Sequence, residues 1–329
     1  MSIKLQRIIK AVAFILIFCV LFSGATYILR NKNEANIVLP FYDEPKNTLD
    51  VIFIGSSHVM CSVYPMELYD RYGIASYVFA SSAQLLPQSY YQLKEALRFQ
   101  SPKMIVLDVS GVIYDTKIST TEYAHVQIDN MSFSPVKYEA IWDLFDSGSR
   151  AEYIFNIIRF HSRWKELGKN DFLPIKSVTK GSYVSTDCTP CPPNREISHD
   201  DKTEMFPTAE KYLRMMIELC MEREIEVMLF NAPAVEEHES LPRCNAVNDI
   251  AKEYGINFID LNMRYREIDF NPATDYRDPW HCNAKGAMKV TTFLGDFIKA
   301  NYDIPDRRED DIYSFWDSQL KEYRSQYKY

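Results

Sequence analysis

Two short stretches near opposite ends of this 329-residue chain carry side chains suited to nucleophilic catalysis. Gly55-Ser56-Ser57-His58 closes the apolar run Val51-Ile52-Phe53-Ile54, and Asp278-Pro279-Trp280-His281 precedes Cys282-Asn283-Ala284-Lys285-Gly286 and a helical pattern. A serine hydroxyl is a weak nucleophile until a base takes its proton, and a histidine serves best when a carboxylate fixes its tautomer and stabilises the imidazolium. Asp278, three residues before His281 on a turn, is within reach of that ring. Ser57 follows a first strand, and ligands of open parallel sheets bind at the carboxyl ends of strands. Backbone N–H groups beside it can hold an oxyanion. A serine at a strand end also serves as a turn or helix cap, and a lone DxxH is a weak signal. Joined across the chain, the two stretches make Ser57 a candidate nucleophile, His281 its base and Asp278 the orienting acid.

Elements able to bring these residues together are written in the hydrophobic pattern. Short apolar runs rich in β-branched residues occur at 51–54, 76–79, 104–107, 226–230 and 257–259, too short for buried helices and suited to strands covered on both faces. Helical patterns fill the gaps at 65–72, 87–99, 207–223 and 284–300, three of them opening with proline. Strands alternating with helices imply an α/β fold, a three-layer α/β/α doubly wound parallel sheet. A segment of roughly 114–203 exceeds what the alternation requires. It carries helical patterns at 135–145 and 150–167 and a Gly-, Pro- and Ser-containing loop at 178–201, and it is expected to be a helical insertion that caps the substrate side. The expected organisation is therefore an N-terminus and membrane anchor over 1–30, a polar tether over 31–47, a catalytic domain over 48–302 and a charged, helical C-terminal tail over 303–329.

Ala11 to Leu29 holds 19 residues without a charge, close to the roughly 20 that cross the hydrocarbon of a bilayer. Lys4, Arg7 and Lys10 precede the run, which places the N-terminus in the cytoplasm and the catalytic domain outside. A cleaved signal peptide ending near Ser23-Gly24-Ala25 is the alternative, and it would release a secreted protein. The net charge of -8 and the absence of a long basic run exclude a nucleic-acid partner. No GxGxxG or P-loop is present, so no cofactor is expected. Cys188-Thr-Pro-Cys191 lacks a second half for a metal site and reads as a loop disulfide or two idle thiols.

On Gly55-Ser56-Ser57 and Asp278-Pro279-Trp280-His281 the chain resembles the SGNH/GDSL hydrolase family over about residues 50–300. The resemblance implies an acyl-serine mechanism with Ser57, His281 and Asp278 in the roles above. The GSS form is similar to the membrane-anchored branch that works beside membrane-bound O-acyltransferases, such as the D-alanyl-transfer protein of teichoic acid modification and the alginate O-acetylation proteins. It implies acyl transfer to an extracellular glycan or cell-envelope polymer, with a carbohydrate esterase and a non-catalytic glycan-binding scaffold as the alternatives. The family's second-block oxyanion glycine falls at Ala83, whose N–H can still donate, and its third-block asparagine has no match after the third strand. Losing a side-chain oxyanion donor costs on the order of 10²–10³ in rate. Gln84 or Ser110 is the candidate replacement, against readings in which Gln84 caps a helix and Ser110 only ends a strand. His58 either touches substrate or caps the first helix. Arg163 and Trp164 offer a cation and an aromatic face for an anionic polymer or sugar ring, or else anchor the insertion to the core.

Overall fold

The computed structural model describes residues 2–193, 197–198, 200–235 and 240–328; the expected loop at 178–201 therefore lies partly outside the described residues. Five strands, β1 (Val51–Gly55), β2 (Ser76–Ala80), β3 (Met104–Asp108), β4 (Glu226–Asn231) and β5 (Asn257–Asp260), form one parallel sheet in the order β2-β1-β3-β4-β5. The chain is thus an α/β protein. Successive side chains of a strand point to opposite faces, and each face meets its own apolar cluster. Ile52, Ile54, Ile105, Leu107 and Leu229 pack with the helices Leu86–Ala96 and Pro207–Met221. Val51, Phe53, Val106, Met228 and Phe230 pack with the helix Ala284–Asn301. Burial on both faces is why the strands read as unbroken apolar runs.

Order 2-1-3-4-5 puts a crossover reversal between β1 and β3, and loops after these neighbouring strands diverge there to open a crevice. Beyond the sheet, β6 (Tyr276–Asp278) and β7 (His281–Cys282) form a small antiparallel ribbon that pairs Asp278 with His281. Pro279 and Trp280 make its turn, so the three-residue spacing of acid and base is the register of a hairpin.

Several expectations are corrected. Residues 31–47 are no tether: they fold as a helix, Lys32–Val38, and a 3₁₀ turn, Leu39–Asp43, with Val38 and Phe41 fully buried in the core. Their polarity is confined to the outer face, so the mean composition concealed the buried stripe. The expected single helix at 150–167 is broken into Arg150–Ile154, Ile157–Phe160 and the 3₁₀ turn His161–Lys165, because Phe155 leaves helical geometry at φ -119°, ψ 77°. The C-terminal segment does form a helix, Ser314–Gln326, but Trp316 and Tyr323 are buried and dock it on the body. Trp316 meets the ammonium of Lys180 at 4.2 Å, and Lys180 in turn is ion-paired to Glu44 at 2.7 Å. One buried cation thereby ties together the segments before β1, within the insertion and at the C-terminus. The helix Ser240–Tyr254 was not foreseen, because Pro242 sits within its first turn and masks the pattern.

The helix Ile3–Leu29 projects from this body with none of its residues buried and is long and apolar enough to cross a membrane.

Candidate active site

β1 ends at Gly55 against the end of β3. A Cβ on residue 55 would lie 2.2 Å from the Cβ of Asp108, so only glycine admits that carboxylate behind the turn. Asp108 is buried and accepts from the Ser56 N–H at 2.9 Å, the Ser56 hydroxyl at 2.7 Å and the Ser110 N–H at 2.9 Å. The Ser56 Oγ also accepts from the His58 N–H at 3.2 Å, which caps the helical turn Ser57–Met60. Asp108 and Ser56 together fix the backbone that presents Ser57.

His281 arrives from the opposite end of the chain. His281 Nε2 lies 2.8 Å from Ser57 Oγ, and His281 Nδ1 lies 2.7 and 3.0 Å from the two oxygens of Asp278. This is the hydrogen-bond order a serine nucleophile requires: hydroxyl, imidazole, carboxylate. The ribbon carrying it is held from three sides. Asn283 caps the helix Ala284–Asn301 through the N–H groups of Lys285 and Gly286 while its amide donates to the carbonyls of Thr274 and Tyr276. Val235, beyond β4, donates its N–H to the Pro279 carbonyl at 2.7 Å. The Ala284 N–H reaches the carbonyl of Ser185, which lays the insertion's loop along the ribbon.

A residue the sequence reading did not single out, Arg277, completes the cluster. Its guanidinium donates to Asp278 Oδ2 at 2.8–2.9 Å, lies 3.1 Å from His281 Nδ1 and packs its carbon 4.9 Å from the Tyr183 ring centre. With the Nδ1 proton donated to Asp278, Arg277 spends its hydrogen bonds on the carboxylate. Burial opposes ionisation of Asp278, but the Arg277 bonds, the Trp280 N–H and the imidazole outweigh it and hold the carboxyl below its usual range. Burial likewise lowers the pKa of His281; Asp278 pulls it upward, while His58 and Arg277 push it further down. A neutral imidazole beside an ionised carboxylate is the resting state a general base needs.

A cavity of about 480 Å³ opens over Ser57, within the range that holds a small organic ligand or part of a polymer. Ser56, Ser57, His58, Ala83, Gln84, Ser110 and His281 all line it. Ala83 adopts φ +48°, a left-handed conformation that turns the backbone at the cavity wall. Among the described residues, the N–H groups of Ser57 and Ala83 donate to no protein acceptor, which leaves them available to an oxyanion. The Gln84 amide is engaged on both sides, accepting from Ser81 at 2.8 Å and donating to Ser89 at 3.0 Å. Ser110 Oγ lies 3.1 Å from Ser56 Oγ. Both candidate replacements for the absent asparagine thus reach the cavity while serving as braces. His58 places its ring 5.7 Å from that of His281, and burial keeps its pKa low. Its Nδ1 is buried with no hydrogen-bond partner among the described residues.

Of the two readings of Arg163 and Trp164, substrate contact is not seen, since neither lines the cavity, whereas Arg163 is an anchor, though to the carbonyls of Leu29 and Arg30 at the end of the N-terminal helix and not to the core. Among the described residues the insertion is no cap over Ser57, since of these only its first, Tyr114 and Ser119, line the cavity wall and its middle packs elsewhere. Beside Tyr114, the cavity is lined by Trp280, Phe206 and Arg243 from outside the insertion. Trp280 is 57% exposed and Tyr114 50% exposed, so their rings face solvent at the mouth. Cys188 and Cys191 stand as two thiols, with no disulfide among the described cysteines. A signal for Arg277 and Trp280 was present, since both flank the DxxH acid, but their roles depend on the hairpin register. No family model matches the chain, and no curated protein matches it.

Proposed function

We propose that the protein is a serine acyltransferase of the SGNH/GDSL type, with a three-layer α/β/α domain held outside a membrane by its N-terminal helix, acting on an extracellular glycan or cell-envelope polymer. The observation that carries this reading is the 2.8 Å approach of His281 Nε2 to Ser57 Oγ with Asp278 on the far ring nitrogen. His281 takes the Ser57 proton as Oγ bonds to the carbonyl carbon of an ester or thioester, and the N–H groups of Ser57 and Ala83 hold the oxyanion. The leaving group departs with the proton from His281, giving acyl-Ser57. An acceptor hydroxyl then loses its proton to His281, attacks the acyl carbon and releases Ser57, which regains the proton. The exposed rings of Trp280 and Tyr114 suit a sugar ring at the acceptor position. A membrane-bound O-acyltransferase is the partner that would supply the acyl group.

The test is a fluorophosphonate probe on the full-length protein, followed by p-nitrophenyl acetate with and without an oligosaccharide acceptor. Wild type should label and Ser57→Ala should not, and acceptor should divert acetyl from water to sugar. Labelling without diversion leaves an esterase, the same acyl-serine chemistry ending on water. Absence of labelling leaves a glycan-binding scaffold.

A further inference from the structure

The insertion grips the N-terminal helix where that helix meets the body. Arg163 Nη1 donates to the carbonyls of Leu29 and Arg30 at 2.8 and 2.5 Å, and its Nη2 pairs with Asp171 at 3.0 Å. Tyr27 donates its hydroxyl to the Leu173 carbonyl at 3.0 Å, and Phe22 meets Phe155 edge to face at 6.5 Å. Around this grip the insertion leaves large apolar side chains in solvent: Trp164 at 65%, Phe172 at 58%, Leu173 at 55%, Phe155 at 50% and Ile158 at 45% exposure. Of the four lysines and arginines in residues 155–173, Arg159 pairs with Asp129 and Arg163 with Asp171, so both are held within the fold.

Length decides what covers this face. From Phe22, which meets Phe155, to Leu29, whose carbonyl meets Arg163, the helix rises roughly 10 Å, so the insertion's contacts reach over that height. The apolar run below the grip, Ala11 to Leu21, then rises only about 16 Å, half of the roughly 30 Å hydrocarbon thickness. If the insertion stayed in water, Lys4, Arg7 and Lys10 would be drawn into the hydrocarbon to make up the span. If the insertion enters the interface, the full run to Leu29 spans and the three cations stay at the inner surface. Interfacial segments with aromatic and cationic side chains sink about 5–10 Å, which matches the depth the grip sets.

We propose that residues 155–173 form a foot embedded at the boundary of headgroups and acyl chains in the outer leaflet of the membrane that the N-terminal helix crosses. The inference rests on Ile3–Leu29 being a retained membrane span. The foot fixes the body rigidly against the bilayer, since Arg163 and Tyr27 join it to the span itself.

The full chain is reconstituted into protein-free vesicles of phosphatidylcholine and phosphatidylglycerol, with and without lipids brominated near the top of the acyl chain. Trp164 emission is taken as wild type minus Trp164→Phe, and a thermal unfolding midpoint unchanged by the substitution verifies that the variant folds. Bromolipid should quench the Trp164 signal about twofold while aqueous acrylamide has little effect, as interfacial depth requires. Acrylamide quenching without bromolipid quenching overturns the foot and leaves the face to a protein partner. Alkaline carbonate extraction separates the two readings. Protein that stays with the membrane while Trp164 remains in water loses the foot and keeps the anchor; protein that is extracted loses both.

Discussion

Replacing Asp278 by asparagine tests the electrostatic logic of the site most directly. The carboxylate accepts the Nδ1 proton of His281 at 2.7 Å and so holds the Nε2 lone pair toward Ser57 Oγ, 2.8 Å away. An asparagine amide can present its NH₂ to Nδ1, which favours the opposite tautomer and turns Nε2 into a donor facing the hydroxyl. In triads of this kind the exchange costs about 10⁴ in turnover, some 5.4 kcal/mol at 1.36 kcal/mol per decade. Arg277 should deepen the effect here. Its Nη2 lies 3.1 Å from Nδ1, and once its carboxylate partner is gone it can donate to the exposed lone pair and hold the wrong tautomer. Adding Arg277→Met in the Asp278→Asn background should therefore restore part of the lost rate. The measurements are the second-order rate of fluorophosphonate labelling and the imidazole ¹⁵N shifts of His281, which report the tautomer independently of activity. Labelling of Asp278→Asn within tenfold of wild type, or ¹⁵N shifts that do not change, would refute the reasoning.

The remaining expectations concern pH and stability. Burial lowers the pKa of His281, with His58 and Arg277 adding to it against Asp278, so labelling should persist below pH 6.5 and fall as pH drops through the lowered value. Arg277→Gln should move that acid limb upward, and an unmoved limb would remove Arg277 from the account. Ser56→Ala deletes a cap and one donor to the buried Asp108, and should cost about 2 kcal/mol in urea unfolding while slowing labelling at Ser57. Lys180→Met strands the Glu44 carboxylate, whose side chain is 7% exposed, and should cost about 3–5 kcal/mol; adding Glu44→Leu should recover most of it, and a single variant as stable as wild type would contradict the pairing.

Strands and most helices of the sheet were legible because their signal is local. A strand buried on both faces must be apolar throughout, and Val51–Ile54 or Met104–Leu107 can be read no other way once flanked by turns and helices. The meeting of Ser57, His281 and Asp278 was legible for a related reason: Gly55-Ser56-Ser57 and Asp278 to His281 each carry a local requirement, a turn and a hairpin spacing, that leaves a mark in the chain. The tether at 31–47 and the single helix at 150–167 were misread because their fate depends on partners distant in sequence. Phe41 is buried by stacking on Phe79, and Arg163 is spent on the carbonyls of Leu29 and Arg30, contacts that no local pattern encodes. The same holds for Asp108 behind Ser56 and Arg277 beside His281. A side chain's type and neighbours in the chain state what it is able to do, but the charge, hydroxyl or carbonyl it meets is chosen only when the sheet and ribbon close around it.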